Sequence, residues 1–270
     1  LFRSDFFIIG AQKAGSSWLA EQLRRHPGVY MPSHEVHYFD QDSNFAKGLD
    51  WYGEFFKGAL AEHIVGEKTP SMFVEDAQGR KRPIPQRLYD HNPDLKLLAV
   101  LRDPIRRAES ALCHHIWKNR LSPHTPVRDL LFGQGRTIAE KFGIVEQGLY
   151  HRQLSHFFDI FPDAQIKIFI FEQDIVERPD DMLFETANFL GVEPRQSKGE
   201  SKLRRNRSVT SRTALVANRR WPTLWPAWHL LDQMMPRSDQ IRFPPGIVAD
   251  LRSFYWNDVR GSEKTLGRDF

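Results

Sequence analysis

The amino-acid sequence predicts an α/β fold in which a parallel sheet is flanked by helices. Apolar runs recur at residues 6–9, 96–101 and 166–171 and read as buried strands. Each is followed by a stretch of helical periodicity, and strands alternating with helices build parallel sheets. The first strand also enters its helix through a glycine-containing turn, "GAQKAGSS", which has nearly the form of a P-loop.

Taken in order, Phe6-Phe7-Ile8-Ile9 forms the first strand. Residues 16–25 follow as a helix, with Leu19 and Leu23 one turn apart and His26-Pro27 ending it. Ile64-Val65 is a short strand ahead of Gly66-Glu67-Lys68-Thr69-Pro70. "KLLAVL", 96–101, is the next buried strand. Asp103 then caps a helix that opens on Pro104 and runs to about Lys118, since Asp accepts from the first-turn N–H groups and Pro is tolerated at the first helical position. Residues 144–160 are helical in pattern, with Leu154, Phe157 and Phe158 on one face. A third strand at 166–171 precedes a helix at 180–190 that Gly191 stops, and a terminal helix covers 245–258.

The stretch at about 195–245 differs. It is rich in Arg, Ser, Pro and Trp, and "WPTLWPAWHLL" at its centre reads as irregular chain with one short helix. Trp221, Trp225 and Trp228 serve there either as satellite packing or as a substrate or partner surface. No internal repeat or low-complexity tract interrupts the chain, and 270 residues suit one domain over 1–270 that carries this irregular segment.

Composition narrows the class. The chain is 40% hydrophobic and 27% charged, enough for a sizeable core. A net charge of +4 is mild and fits either acidic ligands or a solvated basic surface. Cys113 is alone, so no intramolecular disulfide forms, and a cytoplasmic, soluble setting is expected unless an N-terminal anchor was trimmed ahead of Leu1. No CxxC, HExxH or paired Cys/His spacing is present, so no metal is expected. No apolar run approaches the ~18 residues of a membrane span.

The loop at 10–17 is built for an anion. Converging loop N–H groups, together with the unpaired donors and dipole of a helix N-terminus, attract negative charge. Gly15 permits close backbone approach, Ser16 and Ser17 add hydroxyl donors, and Lys13 reaches back over a phosphate. Gly10 and Gly15 have the spacing of the nucleotide-kinase motif GxxxxGK[ST], but residue 16 is Ser where that motif has Lys. "KLLAVLRDP" puts Arg102, not an acidic metal ligand, after the next strand. Arg102 lies at the carboxyl end of that strand, where open α/β sheets bind ligands. Arg106 and Ser110 follow in the next helix, and a guanidinium with a hydroxyl clamps a second phosphate. Two clamps imply a ligand with phosphate at both ends.

In these motifs the chain resembles the sulfotransferases that use 3′-phosphoadenosine 5′-phosphosulfate (PAPS). Lys13-Ala14-Gly15-Ser16-Ser17-Trp18 is similar to that family's 5′-phosphosulfate loop, and Arg102-Asp103-Pro104 through Ser110 to its 3′-phosphate motif. "HEVHYFD" at 34–40, "GEKTPSMF" at 66–73 and the terminal "LGRDF" resemble segments of the heparan-sulfate-type branch and its bacterial relatives. The resemblance spans essentially the whole chain, with 195–245 fitting loosely. It implies a central parallel sheet with helices on both faces and a P-loop-like phosphosulfate-binding loop. It also implies a single sulfotransferase domain whose irregular segment covers acceptor or cofactor.

The resemblance implies site roles as well. Glu35 is the base for the acceptor hydroxyl, with His37 and Asp40 supporting it, while His34 is incidental. Lys13 sits at the leaving phosphate, and Lys68 is a second cation touching cofactor or acceptor. Lys202, Arg204, Arg205 and Asn206, in "SKLRRNRS", are candidates to close over the 3′-phosphate, or they form a solvated basic loop. Tyr150 either reaches the site or packs in the core. A mid-chain histidine base, His114 or His115, is the alternative to Glu35. The expected reaction is in-line transfer of a sulfuryl group from PAPS, without a metal, to an acceptor hydroxyl on a saccharide or on a natural product or acyl-carrier-bound chain. No nucleic-acid partner is expected. A degenerate P-loop kinase or NTPase and a non-enzymatic polyanion-binding module stand as alternatives.

Overall fold

Five strands pair in the order β2-β3-β1-β4-β5, every neighbouring pair parallel. The computed structural model describes residues 2–73, 83–195 and 209–269. The strands are β1 Phe6–Gly10, β2 Val29–Tyr30, β3 Ile64–Lys68, β4 Lys96–Leu101 and β5 Ile166–Ile170. In chain order the helices are α1 Ser16–Arg24, α2 Asp42–Phe45, α3 Gly48–Gly53, α4 Ile84–His91, α5 Pro104–Trp117 and α6 Val127–Phe132. They continue with α7 Arg136–Lys141, α8 Tyr150–Phe158, α9 Pro179–Leu190, α10 Arg212–Arg220, α11 Trp225–Met234 and α12 Pro245–Leu266.

The predicted parallel sheet with helices on both faces is what forms. The described residues fall into two compact units. The first holds the sheet and takes residues up to 102, 150–195 and from 262 onward. Alternation along its central strands feeds two cores, because successive side chains point to opposite faces. Phe7, Ile9, Leu97, Ala99 and Leu101 pack on one face with Leu88 of α4 and Leu154 and Phe157 of α8. Phe6, Ile8, Leu98 and Val100 pack on the other with Leu19 and Leu23 of α1 and Met182 and Leu190 of α9.

A seven-residue π-helical turn, Phe171–Glu177, follows β5. Its Asp174 is fully buried and accepts from Ile170 N (2.6 Å), Arg178 Nη2 (2.6 Å) and Arg268 Nη2 (3.0 Å). Burial pushes this carboxyl up, but the bonds from Arg268, the Ile170 amide and Arg178 outweigh it and hold the group below its ordinary range. The terminal "LGRDF" thus has a structural function in this chain: its arginine closes the turn beside the loop after β1.

The second unit takes residues 103–149 and 209–261. Its core gathers Leu112, Ile144, Leu215, Leu251 and Tyr255. Fully buried Arg107 donates to Ile144 O (2.5 Å), and Glu109 accepts from Phe243 N (2.8 Å) and Arg242 Nη1 (2.9 Å).

Several boundaries move from the predicted ones. β3 continues to Lys68, because pairing with β1 carries Gly66, Glu67 and Lys68 into the ladder. The terminal helix runs to Leu266 rather than 258. Among the described residues of 195–245, two α-helices form, Arg212–Arg220 and Trp225–Met234, where one short helix was expected. Pro222 and Pro226 occupy first-turn positions, where the missing N–H is no loss. Satellite packing describes Trp228, which packs against the second unit's core, but not Trp221 and Trp225, which are 54% and 56% exposed.

Candidate active site

The turn after β1 is shaped by backbone constraints. Gly15 caps α1 at φ 107°, no side chain caps the helix, and the Gly15 carbonyl accepts from Trp18 N at 2.9 Å and Leu19 N at 3.2 Å. A Cβ at Gly15 would lie 2.8 Å from both Phe171 and Ile175 of the π-helical turn, so only glycine fits. Lys13 has φ 66° and His37 φ 57°, two of the three non-glycine residues with positive φ among those described. Such conformations concentrate where function over-determines the backbone. Ala14 and Ser16 are buried, Ser17 is exposed, and the Trp18 ring lies in the core formed with α1.

Arg102, at the end of β4, turns back onto this loop. Its Nη1 donates to Lys13 O at 3.3 Å, its guanidinium sits 4.7 Å from the Phe171 ring centre, and Nε is 3.6 Å from Glu172 Oε1. Tyr150 is fully buried and donates to the carbonyl of Arg102 at 2.8 Å, so it supports the site from within the core. Arg102 is thus tied to the loop through the backbone carbonyl of Lys13.

Opposite the helix start, a continuous chain of polar contacts runs away from the loop. Lys68 Nζ donates to Ser17 Oγ at 3.2 Å and to Glu35 Oε1 at 2.5 Å. Glu35 Oε2 lies 3.5 Å from His37 Nε2. His37 Nδ1 meets Asp40 Oδ2 at 2.8 Å, and Ser71 Oγ donates to the same oxygen at 2.6 Å. The segment 34–40 has no regular structure and lies across the carboxyl ends of β1 and β3, where Lys68 and Ser71 hold it. The bond to Asp40 raises His37 above its ordinary pKa against the opposing effect of burial, with Glu35 adding to the rise. This arrangement sets the Glu35 carboxylate between the Lys68 ammonium, which also touches Ser17, and the His37 imidazole.

Beneath it lies a second carboxyl. Glu67 is fully buried, accepts from Tyr52 Oη at 2.7 Å and from Thr69 Oγ1, and is pushed up to about 7 by burial. Glu67 and Ser71 flank Lys68 in "GEKTPSMF" and join the site without any motif role to mark them. Strand parity was the available signal, since Glu67 must face away from its neighbour Lys68.

Ser110 and Arg106 are in α5 of the second unit, where Asp103 caps the helix as expected and Arg106 Nη1 donates to Glu109 at 3.0 Å. His115 is buried in that unit and stacks on Phe142 at 4.4 Å, and His114 makes an edge contact with His115. His34 meets only the edge of Phe55 among the ring contacts described. Lys202, Arg204, Arg205 and Asn206 lie outside the described residues. Among the described residues no group of three or more His, Cys, Asp or Glu side chains is arranged to hold a metal ion.

Comparison with known proteins matches residues 3–217 to the sulfotransferase domain. Mouse heparan sulfate glucosamine 3-O-sulfotransferase 5 is 32% identical over 195 residues, covering 71% of this chain and 54% of that protein. Human heparan sulfate glucosamine 3-O-sulfotransferase 3B1 is 34% identical over 188 residues, 68% of this chain and 45% of that protein. The chain thus spans about half the length of the curated relatives it matches. Among solved structures, a sulfotransferase from Alicyclobacillus acidocaldarius aligns over 100% of this chain and 98% of its own, with a TM-score of 0.72 and 24% identity. The sulfotransferase domain from the curacin biosynthetic pathway aligns over 100% and 99%, with a TM-score of 0.58 and 15% identity.

Proposed function

The chain belongs to the sulfotransferase family, and from that premise we propose that it transfers a sulfuryl group from PAPS to the hydroxyl of a saccharide acceptor, with Glu35 as the base. One observation carries this reading: the unbroken contact chain Ser17–Lys68–Glu35–His37–Asp40, which ties the anion loop to a carboxylate. The glycine-only turn at Gly15 and the uncapped start of α1 fit a phosphosulfate group. PAPS supplies an activated sulfuryl group on its 5′-phosphate.

Glu35 takes the proton of the acceptor hydroxyl as the new oxygen–sulfur bond forms. Lys13 and Lys68 offset the negative charge that gathers on the departing phosphate oxygen when the old sulfur–oxygen bond breaks. His37, held by Asp40, orients Glu35 through its second oxygen. Arg102 takes the 3′-phosphate, and by their motifs Ser110 and the basic residues 202–206 are proposed for the same group. The saccharide class rests on the relatives, which are named for glucosamine O-sulfation. The kinase alternative is set aside by the family match and by Ser16 where a kinase needs lysine, and the polyanion-module alternative by the family match.

The test is Glu35→Gln. Turnover with radiolabelled PAPS should fall by at least about 100-fold, while calorimetric affinity for adenosine 3′,5′-bisphosphate stays within a few-fold of the parent. Surviving turnover removes Glu35 from its role, and absent nucleotide binding by the parent chain overturns the whole reading.

A further inference from the structure

The hairpin of α10 and α11 in the second unit carries apolar side chains on its outer side as well as on the side that meets the core. Its acid points inward: Asp232 is buried and accepts from Thr210 N (2.9 Å) and Ser211 N (2.7 Å). Trp228 and Leu231 cover that inner side against the unit's core. Outward stand Trp221, Leu224, Trp225, Leu230 and Met234, between 51% and 73% exposed. Residues 219–227 are exposed without interruption. Apolar exposure this concentrated marks an interaction surface rather than scattered surface residues.

Charge identifies the occupant. The exposed ionised groups across 209–239 are Arg212, Arg219, Arg220 and Arg237; of the two acids, Asp232 is turned inward and Asp239 is half-buried and accepts from Thr213 N at 3.1 Å. A two-fold pairing of this face with a second copy would set four exposed arginines against their counterparts with no fully exposed carboxylate to offset them. A surface of anionic headgroups over acyl chains answers both features. Arginine meets lipid phosphate, tryptophan favours the membrane–water boundary, and Leu and Met enter the acyl region. We propose that the α10–α11 hairpin docks the protein peripherally on an anionic lipid bilayer. Trp221, Leu224, Trp225, Leu230 and Met234 enter the headgroup–acyl boundary, and the four arginines lie over the headgroups.

Flotation of the chain with phosphatidylcholine vesicles, with and without phosphatidylglycerol, tests this. Binding is expected to the anionic vesicles alone and to weaken with salt. The double variant L230S/M234S, altered only at exposed positions, should keep the parent's thermal midpoint and lose about tenfold or more in vesicle affinity. R219Q/R220Q should lower affinity and flatten the salt dependence. Three results would overturn the proposal: no flotation with anionic vesicles, flotation that L230S/M234S leaves unchanged, or a dimer in solution that L230S/M234S dissociates. Selective binding of heparin in place of vesicles, abolished by the same variant, would assign the face to an acidic polysaccharide instead.

Discussion

Lys68 Nζ lies 2.5 Å from Glu35 Oε1 and 3.2 Å from Ser17 Oγ, so one ammonium joins the candidate base to the candidate phosphosulfate loop. Lys68 is only 11% exposed and Glu35 33% exposed, so water screens this pair weakly. The pairing orients the carboxylate towards the loop before any acceptor arrives. It also makes the two groups interdependent, because removing one leaves the other charged in a partly desolvated place.

Lys68→Met should therefore act on catalysis more than on binding. Turnover is expected to fall about 100-fold, with affinity for adenosine 3′,5′-bisphosphate reduced by less than tenfold. Steady-state kinetics beside calorimetry separates the two. Equal losses in both would mean that Lys68 serves only the nucleotide.

Glu172 already pairs with Arg102, so an incoming phosphate would compete with this carboxylate for the guanidinium. Their 3.6 Å contact is what a bound phosphate has to displace. Arg102→Gln should weaken adenosine 3′,5′-bisphosphate binding by about tenfold or more, since a bidentate cation is lost. Glu172→Gln should tighten it by a few-fold at most, the scale of a half-exposed ion pair. Weaker binding in Glu172→Gln would contradict the competition.

Gly15→Ala places a methyl group 2.8 Å from Phe171 and Ile175 at a φ of 107°. A loss of about 1–3 kcal/mol of stability is expected, with nucleotide binding weakened as the turn shifts. Denaturant unfolding and calorimetry read both. An unchanged midpoint with full affinity would show that the turn tolerates a side chain.

Glu67 and His91 set opposing pH dependences. Burial raises Glu67 from 4.5 to about 7, so the folded chain holds that proton more tightly than the unfolded one. Its contribution is complete below about pH 4.5 and is lost as pH rises through about 7, to the extent of about 3 kcal/mol. Burial lowers His91 from 6.5 to about 4, so its contribution is complete above about 6.5 and is lost as pH falls towards 4. Between those limits the two slopes offset each other. Glu67→Gln keeps an acceptor for Tyr52 and Thr69 and should remove the alkaline-side loss. Stability at about pH 8 relative to about pH 5 then improves over the parent in chemical denaturation. An identical pH profile in parent and variant would count against a neutral Glu67.

Much of the candidate site was legible in local runs of sequence. "GAQKAGSSW" drew notice because a strand end, a tight turn and a helix start impose fixed spacing on their side chains, and "EVHYFD" and "GEKTPS" through their resemblance to family segments. Asp103 capping its helix was likewise local. Glu172 and Phe171 were not legible, because they reach Arg102 through a π-helical turn that no periodicity announces. Between packing and surface, the placement of Trp221 and Trp225 was not legible either. Aromatic content signals burial on average, but which face of α11 meets the core depends on where Asp232 finds its backbone donors.

The amino-acid sequence by itself determined the α/β class, the glycine-containing turn between the first strand and its helix and the identity of the groups available for chemistry, since each depends on neighbours along the chain and on side-chain sterics. Only the tertiary structure decided that Ser17, Lys68, Glu35, His37 and Asp40 form one connected path, that Glu67 is enclosed beside them, and that α11 leaves Trp225, Leu230 and Met234 exposed. Those outcomes depend on parallel strands setting distant residues in register. They also depend on burial, which changes the cost of a charge according to what surrounds it rather than what precedes it.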